Sequence, residues 1–272
     1  MTAGKGGKLA SKVAIVTGAG QGAGMGAALA MAEEGASIVL FGRTLSKLDR
    51  VAAIITERGG QAVPFAGDVT VEADLQASID LALSRFSRLD ILVNAAQSPE
   101  MRKAALLDIE PEIVAELWNS GAAATLTFMR LAHPHMKAAG GGSIVNFGSD
   151  AILMPMHYGV YAGVKAAIQA ISRAAAQEWG PDNIRVNMVV PLVNSPAFEA
   201  DSTDMDVMAK AVPMGRIGDP EMDIGRPVAF LASDEKWRGH ELYRPGHVHP
   251  WVLRQHLHHF RMTMAAGLEY KN

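Results

Sequence analysis

From Lys12 to about Leu231, short runs rich in β-branched residues alternate with longer stretches rich in Ala and Leu. The short runs, 12–17, 37–41, 61–66, 90–95, 143–148 and 184–190, are nearly continuous in apolar side chains. That is the pattern of strands covered on both faces. The longer stretches, 23–34, 45–58, 72–87, 110–138 and 158–179, with a shorter one near 221–232, carry apolar positions at helical spacing. Six strand–helix steps of this kind predict an α/β fold with one doubly wound parallel sheet, Rossmann-like in architecture. In such a sheet the ligand crevice lies outside the carboxyl ends of the strands. The expected organisation is a flexible arm over 1–11, one α/β domain over 12–235, and a tail over 236–272 that departs from this alternation.

Composition narrows the chemistry. The 272 residues carry a formal charge of −3, with acids and bases scattered, and this leaves no basic footprint for nucleic acid or anionic membrane. No apolar run reaches the ~18 residues of a membrane span. The absence of cysteine excludes disulfides, thiolate metal sites and a thiol nucleophile. A cytoplasmic protein acting on a small molecule is the expectation.

The stretch "TGAGQGAGMG" at 17–26 leaves the first strand and opens the first helix. Gly18 suits the tight turn, Gly22 lets backbone approach a pyrophosphate, and Gly24 allows helix and strand to pack closely. The helix N-terminus, with Gln21 and Ala23 beside it, offers free N–H groups and the positive end of a dipole to the phosphates. Gly20 and Gly26 read equally well as loop or packing glycines. At the end of the second strand "LFGRT" places Arg43 where an acidic residue would hold a ribose 2′-hydroxyl. A cation there suits a 2′-phosphate, so NADP is expected before NAD, although Gln21 supplies no second cation.

"YGVYAGVKAA" at 158–167 puts Tyr161 and Lys165 one helical turn apart on one face. A nearby ammonium favours the phenolate and brings a tyrosine toward general acid/base work. Taken alone the pair reads equally as a packed phenol beside a snorkelling lysine.

With these motifs in order, "TGAGQGAG", "DVT" (68–70), "LVNAA" (92–96), "LWNSG" (117–121), "GSIVNFGS" (142–149), "YAGVK" (161–165) and "IRVNMVVP" (184–191), the chain resembles the short-chain dehydrogenase/reductase family over roughly residues 10 to 235, in a 3-oxoacyl-carrier-protein-reductase-like form. The resemblance implies an NAD(P)-dependent oxidoreductase that interconverts a secondary alcohol and a carbonyl. It implies Tyr161 as proton donor or acceptor, Lys165 lowering its pKa and holding the nicotinamide ribose, Ser149 bonding the substrate oxygen, and Asn119 positioning a water that links Lys165 to solvent. Tyr158 would line the substrate cleft. Asp68 and Val69 match the adenine-contacting pair, while Asn94, Pro191 and Ser195 fall at further cofactor positions. It also implies a homo-oligomer, a tetramer or dimer.

The chain departs from the family pattern in several places. Gln97 stands where the family has glycine after the fourth strand, and Leu192 replaces the glycine after Pro191. Ser195 stands one residue early for the threonine expected to contact the carboxamide. The loop 192–217 holds Met205, Met208 and Met214, and Met154, Met156 and His157 flank the catalytic segment, adaptable side chains that suit an irregular apolar substrate. The tail carries six of the nine histidines in place of a Thr-Gly-Gln turn and last strand. Back-translated one nucleotide later, 240–248 admits Met-Asn-Tyr-Thr-Gly-Gln-Val-Met, so a reading frame shifted near residue 236 is one expectation for this tail, and a solvated or disordered tail is the other. "HLHHF" in this tail has no strong metal-ligand spacing. Two other functions stay open at this point: a nucleotide-binding scaffold without turnover, and a sugar-nucleotide epimerase or dehydratase.

Overall fold

A computed structural model describes residues 7–98, 104–153, 155–193, 207, 209–210 and 212–235. Ser195, Met154, Met205, Met208, the start of the arm and the whole 236–272 tail lie outside these described residues.

The chain runs β1 (Val13–Thr17), α1 (Gly22–Glu33), β2 (Ser37–Gly42), α2 (Leu45–Glu57), β3 (Gln61–Ala66), α3 (Glu72–Phe86), β4 (Ile91–Asn94), α4 (Pro111–Trp118), α5 (Ala124–Ala138), β5 (Gly142–Phe147), α6 (Gly159–Glu178), β6 (Ile184–Val189) and α7 (Arg226–Ala232). All pairings are parallel and the strand order is β3-β2-β1-β4-β5-β6. The chain reverses its direction of travel across the sheet between β1 and β4, which opens a crevice at their carboxyl ends.

The unbroken apolar runs arise because successive side chains of a strand enter different cores. Ala14, Val16, Ile38, Leu40 and Val93 pack with α1, α2 and α7, whereas Val13, Ile15, Val39, Leu92 and Ile144 pack with α3, α5 and α6. β3 is an edge strand with half-exposed side chains, and Pro64 is tolerated there. The one long helix expected over 110–138 is instead α4 and α5 joined by a π-turn over Asn119–Ala123. That extra residue in a turn changes which side chains of the region face the sheet.

Two polar clasps secure the layers. At the foot of the sheet the carboxylate of Asp90, 3% exposed, accepts from the Val13 amide at 2.9 Å and from Arg88. At the opposite edge Asn94 donates to Asn146 at 2.8 Å, and Asn146 donates to Ser172 of α6 at 2.8 Å. The buried side chains of both clasps therefore have partners, which burial requires. Arg185 of β6 donates to the carbonyls of Leu231 and Ser233 and holds the end of α7 against the sheet.

Gly26 of α1 is a packing glycine. A Cβ there would run into the backbone carbonyl of Pro220, and Gly225 meets the carbonyl of Gly26 in return. Because backbone rather than a flexible side chain blocks the space, Gly26→Ala is expected to lower stability by about 1–3 kcal/mol, the usual cost of overpacking. Urea unfolding should show a lower midpoint with an unchanged slope.

Candidate active site

The carboxyl ends of the strands open into a cleft of about 760 Å³, a normal size for a cofactor site. At one end the loop from β1 to α1 forms its floor. Gly18 and Gly22 have φ of +67° and +54°, in the left-handed region where a side chain is strained. A Cβ on Gly22 would meet nothing within 4 Å, so its backbone is open to a ligand, while one on Gly24 would strike the carbonyl of Gly18. Loop and helix therefore present N–H groups at the start of α1 as an anion cradle.

Beside this cradle Arg43 and Thr44 line the cleft at the end of β2. Lys47, in the first turn of α2, also lines it and donates to the carbonyl oxygen of the Gln21 side chain. Lys47 thus brings a second cation to this end of the cleft, four residues after Arg43. Asp68 and Val69 form the facing wall. Asp68 also caps its own turn, accepting from the Thr70 amide at 2.9 Å and hydroxyl at 2.8 Å. These bonds, with a smaller contribution from Arg43, hold its carboxyl below the usual range.

The other end of the cleft belongs to β5 and α6. Ser149 precedes a short 3₁₀ turn (Asp150–Ile152), and its hydroxyl accepts from the Ala151 amide at 3.1 Å. α6 carries Tyr161 and Lys165 on its inner face, with the Lys165 ammonium 5.6 Å from the centre of the Tyr161 ring. Lys165 is only 4% exposed and donates to the carbonyl of Phe147 at 3.0 Å. Burial lowers its pKa from the ordinary 10.5 to about 8. Burial also pushes the Tyr161 phenol up, opposed by a hydrogen bond with Ser149 and reinforced by Asp150 and Tyr158. The direction is thus set by desolvation and not by the lowering expected from Lys165.

The cleft brings together Gly18, Gln21, Gly22, Ala23, Gly24, Arg43, Asp68, Val69, Ser149, Tyr161, Lys165 and Pro191. Tyr158 lines it too, as expected. Two expected members are elsewhere. Asn94 is 7% exposed and sits behind the cleft wall, with its amide engaged by Asn146. Asn119 begins the π-turn with an exposed side chain that does not line the cleft, and the neighbouring Ser120 lines it instead. The turn also places Gly121 under α6, where a Cβ would strike Val164 and come within 2.8 Å of the Gln97 carboxamide. Gln97 thus occupies space that a side chain at 121 would need. Its Nε2 donates to the Leu117 carbonyl at 3.2 Å, whereas its buried Oε1 has no partner.

Sequence reasoning missed Lys47, Ser98, Glu116, Ser120 and Asp150, all of which line the cleft. Arg43 and Lys47 at i and i+4 across a helix start were readable as a pair. Ser98 and Glu116, whose side chains are hydrogen bonded, are 18 residues apart and offered no local signal.

The family model described as Enoyl-(Acyl carrier protein) reductase matches residues 18–243. The chain is 36% identical over 236 residues to the 12alpha-hydroxysteroid dehydrogenase of Clostridium sp. (strain ATCC 29733 / VPI C48-50), covering 82% of this chain and 90% of that protein. Among solved structures, L-sorbose reductase from Gluconobacter frateurii, complexed with NADPH and L-sorbose, superposes with a TM-score of 0.77 at 29% identity, over 84% of this chain and 92% of that one. A 7 alpha-hydroxysteroid dehydrogenase complexed with NADH and 7-oxo glycochenodeoxycholic acid gives a TM-score of 0.73 at 31% identity, over 83% and 88% of the two chains.

Burial of Lys165 has a measurable consequence. Between pH 8 and 10.5 the unfolded chain keeps a proton on Lys165 that the folded chain releases, so this residue's contribution to stability rises with pH across that window. Below pH 8 the full penalty applies, on the order of 3 kcal/mol. Lys165→Met should therefore be more stable than the parent at pH 7 in urea unfolding, and the difference should shrink as pH approaches 10.5.

Proposed function

The chain belongs to the short-chain dehydrogenase/reductase family, and from that premise we propose that Ser149, Tyr161 and Lys165 carry out NAD(P)-dependent interconversion of an alcohol and a ketone. The observation that carries the assignment is the convergence of these three side chains at one end of a cleft whose other end is an anion cradle. When bound, the nicotinamide supplies or accepts the hydride.

Tyr161 moves the proton. In the reductive direction its O–H gives a proton to the substrate oxygen as the carbon is reduced, and in the oxidative direction the phenolate takes that proton back. A phenol raised by burial holds its proton at neutral pH, the form that reduction needs. The Ser149 hydroxyl donates to the same substrate oxygen and orients it. Lys165, fixed to the Phe147 carbonyl, retains donors for the nicotinamide ribose and places positive charge near the developing phenolate. The water-positioning role expected of Asn119 is not part of this reading.

The cofactor fits the residues present. The open backbone at Gly22 and the start of α1 would take the pyrophosphate, and Asp68 and Val69 would flank the adenine. NADP is the preferred form in this reading. Arg43 and Lys47 both line the cleft at the end of β2 and would pair with a 2′-phosphate, and no acidic residue replaces them there.

Tyr161→Phe removes only the hydroxyl. Turnover should fall by at least about a thousandfold while cofactor affinity changes less than about twofold, because the lost interaction belongs to the transition state. Steady-state kinetics with cofactor titration by fluorescence checks both, and retained turnover would remove Tyr161 from the reaction. For the cofactor, NADPH should bind at least tenfold more tightly than NADH in the same titration. Arg43→Ala with Lys47→Ala should erase that preference by weakening NADPH alone, and an unchanged ratio would reject it.

A further inference from the structure

Charge is distributed unevenly along the cleft. Among the described lining residues, Arg43 and Lys47 stand at the β2 end, and Lys165 is buried against the Phe147 carbonyl. The end beyond Tyr161 has no other described cation. It carries two carboxylates, Glu116 from α4 and Asp150 directly after Ser149. Glu116 accepts from the Ser98 hydroxyl, and Asp150 lies 3.5 Å from the Ser149 Oγ. The charge of Asp150 is felt at the Tyr161 phenol.

Two carboxylates thus line the part of the cleft that holds Ser149 and Tyr161. They favour hydrogen-bond donors on the ligand and penalise a second negative charge.

Resting on the proposed activity, we propose that this end of the cleft selects uncharged alcohols and ketones bearing a further hydroxyl donor, and that Glu116 and Asp150 exclude carboxylate- and phosphate-bearing substrates. Each like-charge pair across the cleft is expected to cost roughly tenfold in affinity.

The test uses two ketones of matched shape, 4-(hydroxymethyl)cyclohexanone and 4-oxocyclohexanecarboxylate, with the full-length protein and NADPH. The neutral ketone should exceed the anionic one in kcat/KM by at least about tenfold. Glu116→Gln and Asp150→Asn should each narrow that gap several-fold by improving the anionic substrate, and added salt should narrow it too. Equal use of the two ketones by the parent protein, or a gap that survives both substitutions, overturns the proposal. If neither ketone is reduced, their competition for the NADPH complex, read by cofactor fluorescence, still ranks them: preferred binding of the neutral one supports the charge selection, and equal binding rejects it. Absent turnover with a bound ketone counts against the proposed activity alone.

Discussion

The hydrogen bond from the buried Lys165 ammonium to the carbonyl of Phe147 is the constraint around which the cleft is arranged. A buried cation without an acceptor would be prohibitively costly, so α6 must lie where the last carbonyl of β5 can reach it. The Asn146–Ser172 bond fixes the same helix to the same strand two turns further along, and Asn94 extends the connection to β4. With α6 held twice, Tyr161 has little freedom in where it presents its phenol. Its distance from Ser149 is then a property of the sheet edge rather than of a loop.

The π-turn between α4 and α5 supplies the opposing wall. By adding a residue to one turn it brings Ser120 and Gly121 inward and leaves Asn119 exposed. Ser120 accepts from the Ser98 amide at 3.2 Å and donates to the Glu116 carbonyl at 2.7 Å, so its hydroxyl joins the loop after β4 to the helix. Gln97 packs into the space above Gly121. The departure from the family's glycine at 97 is therefore matched by an absent side chain at 121, and neither position makes sense alone.

Much of the architecture was legible because its signals are local. The strands announced themselves through side chains buried on both faces, and the glycine loop through its place between the first strand and helix. Tyr161 and Lys165 were legible because an unbroken helix keeps i and i+4 on one face. Asn119 was misplaced for the complementary reason: the assumed regular helix over 110–138 contains an extra residue in one turn, and each added residue rotates the following faces by about 100°. Asn94 carried a cofactor motif but turned inward, since Asn146 across the strand pair offered a buried partner. Glu116 and Asp150 gain their meaning only from the walls that tertiary packing sets opposite each other.

The clasp on Asp90 at the foot of the sheet has its own significance. It pairs the buried carboxylate that orders the strand starts at the edge farthest from the cleft, so this electrostatic obligation of the framework is met away from the chemistry. Mutational drift around the cleft mouth then leaves that obligation untouched.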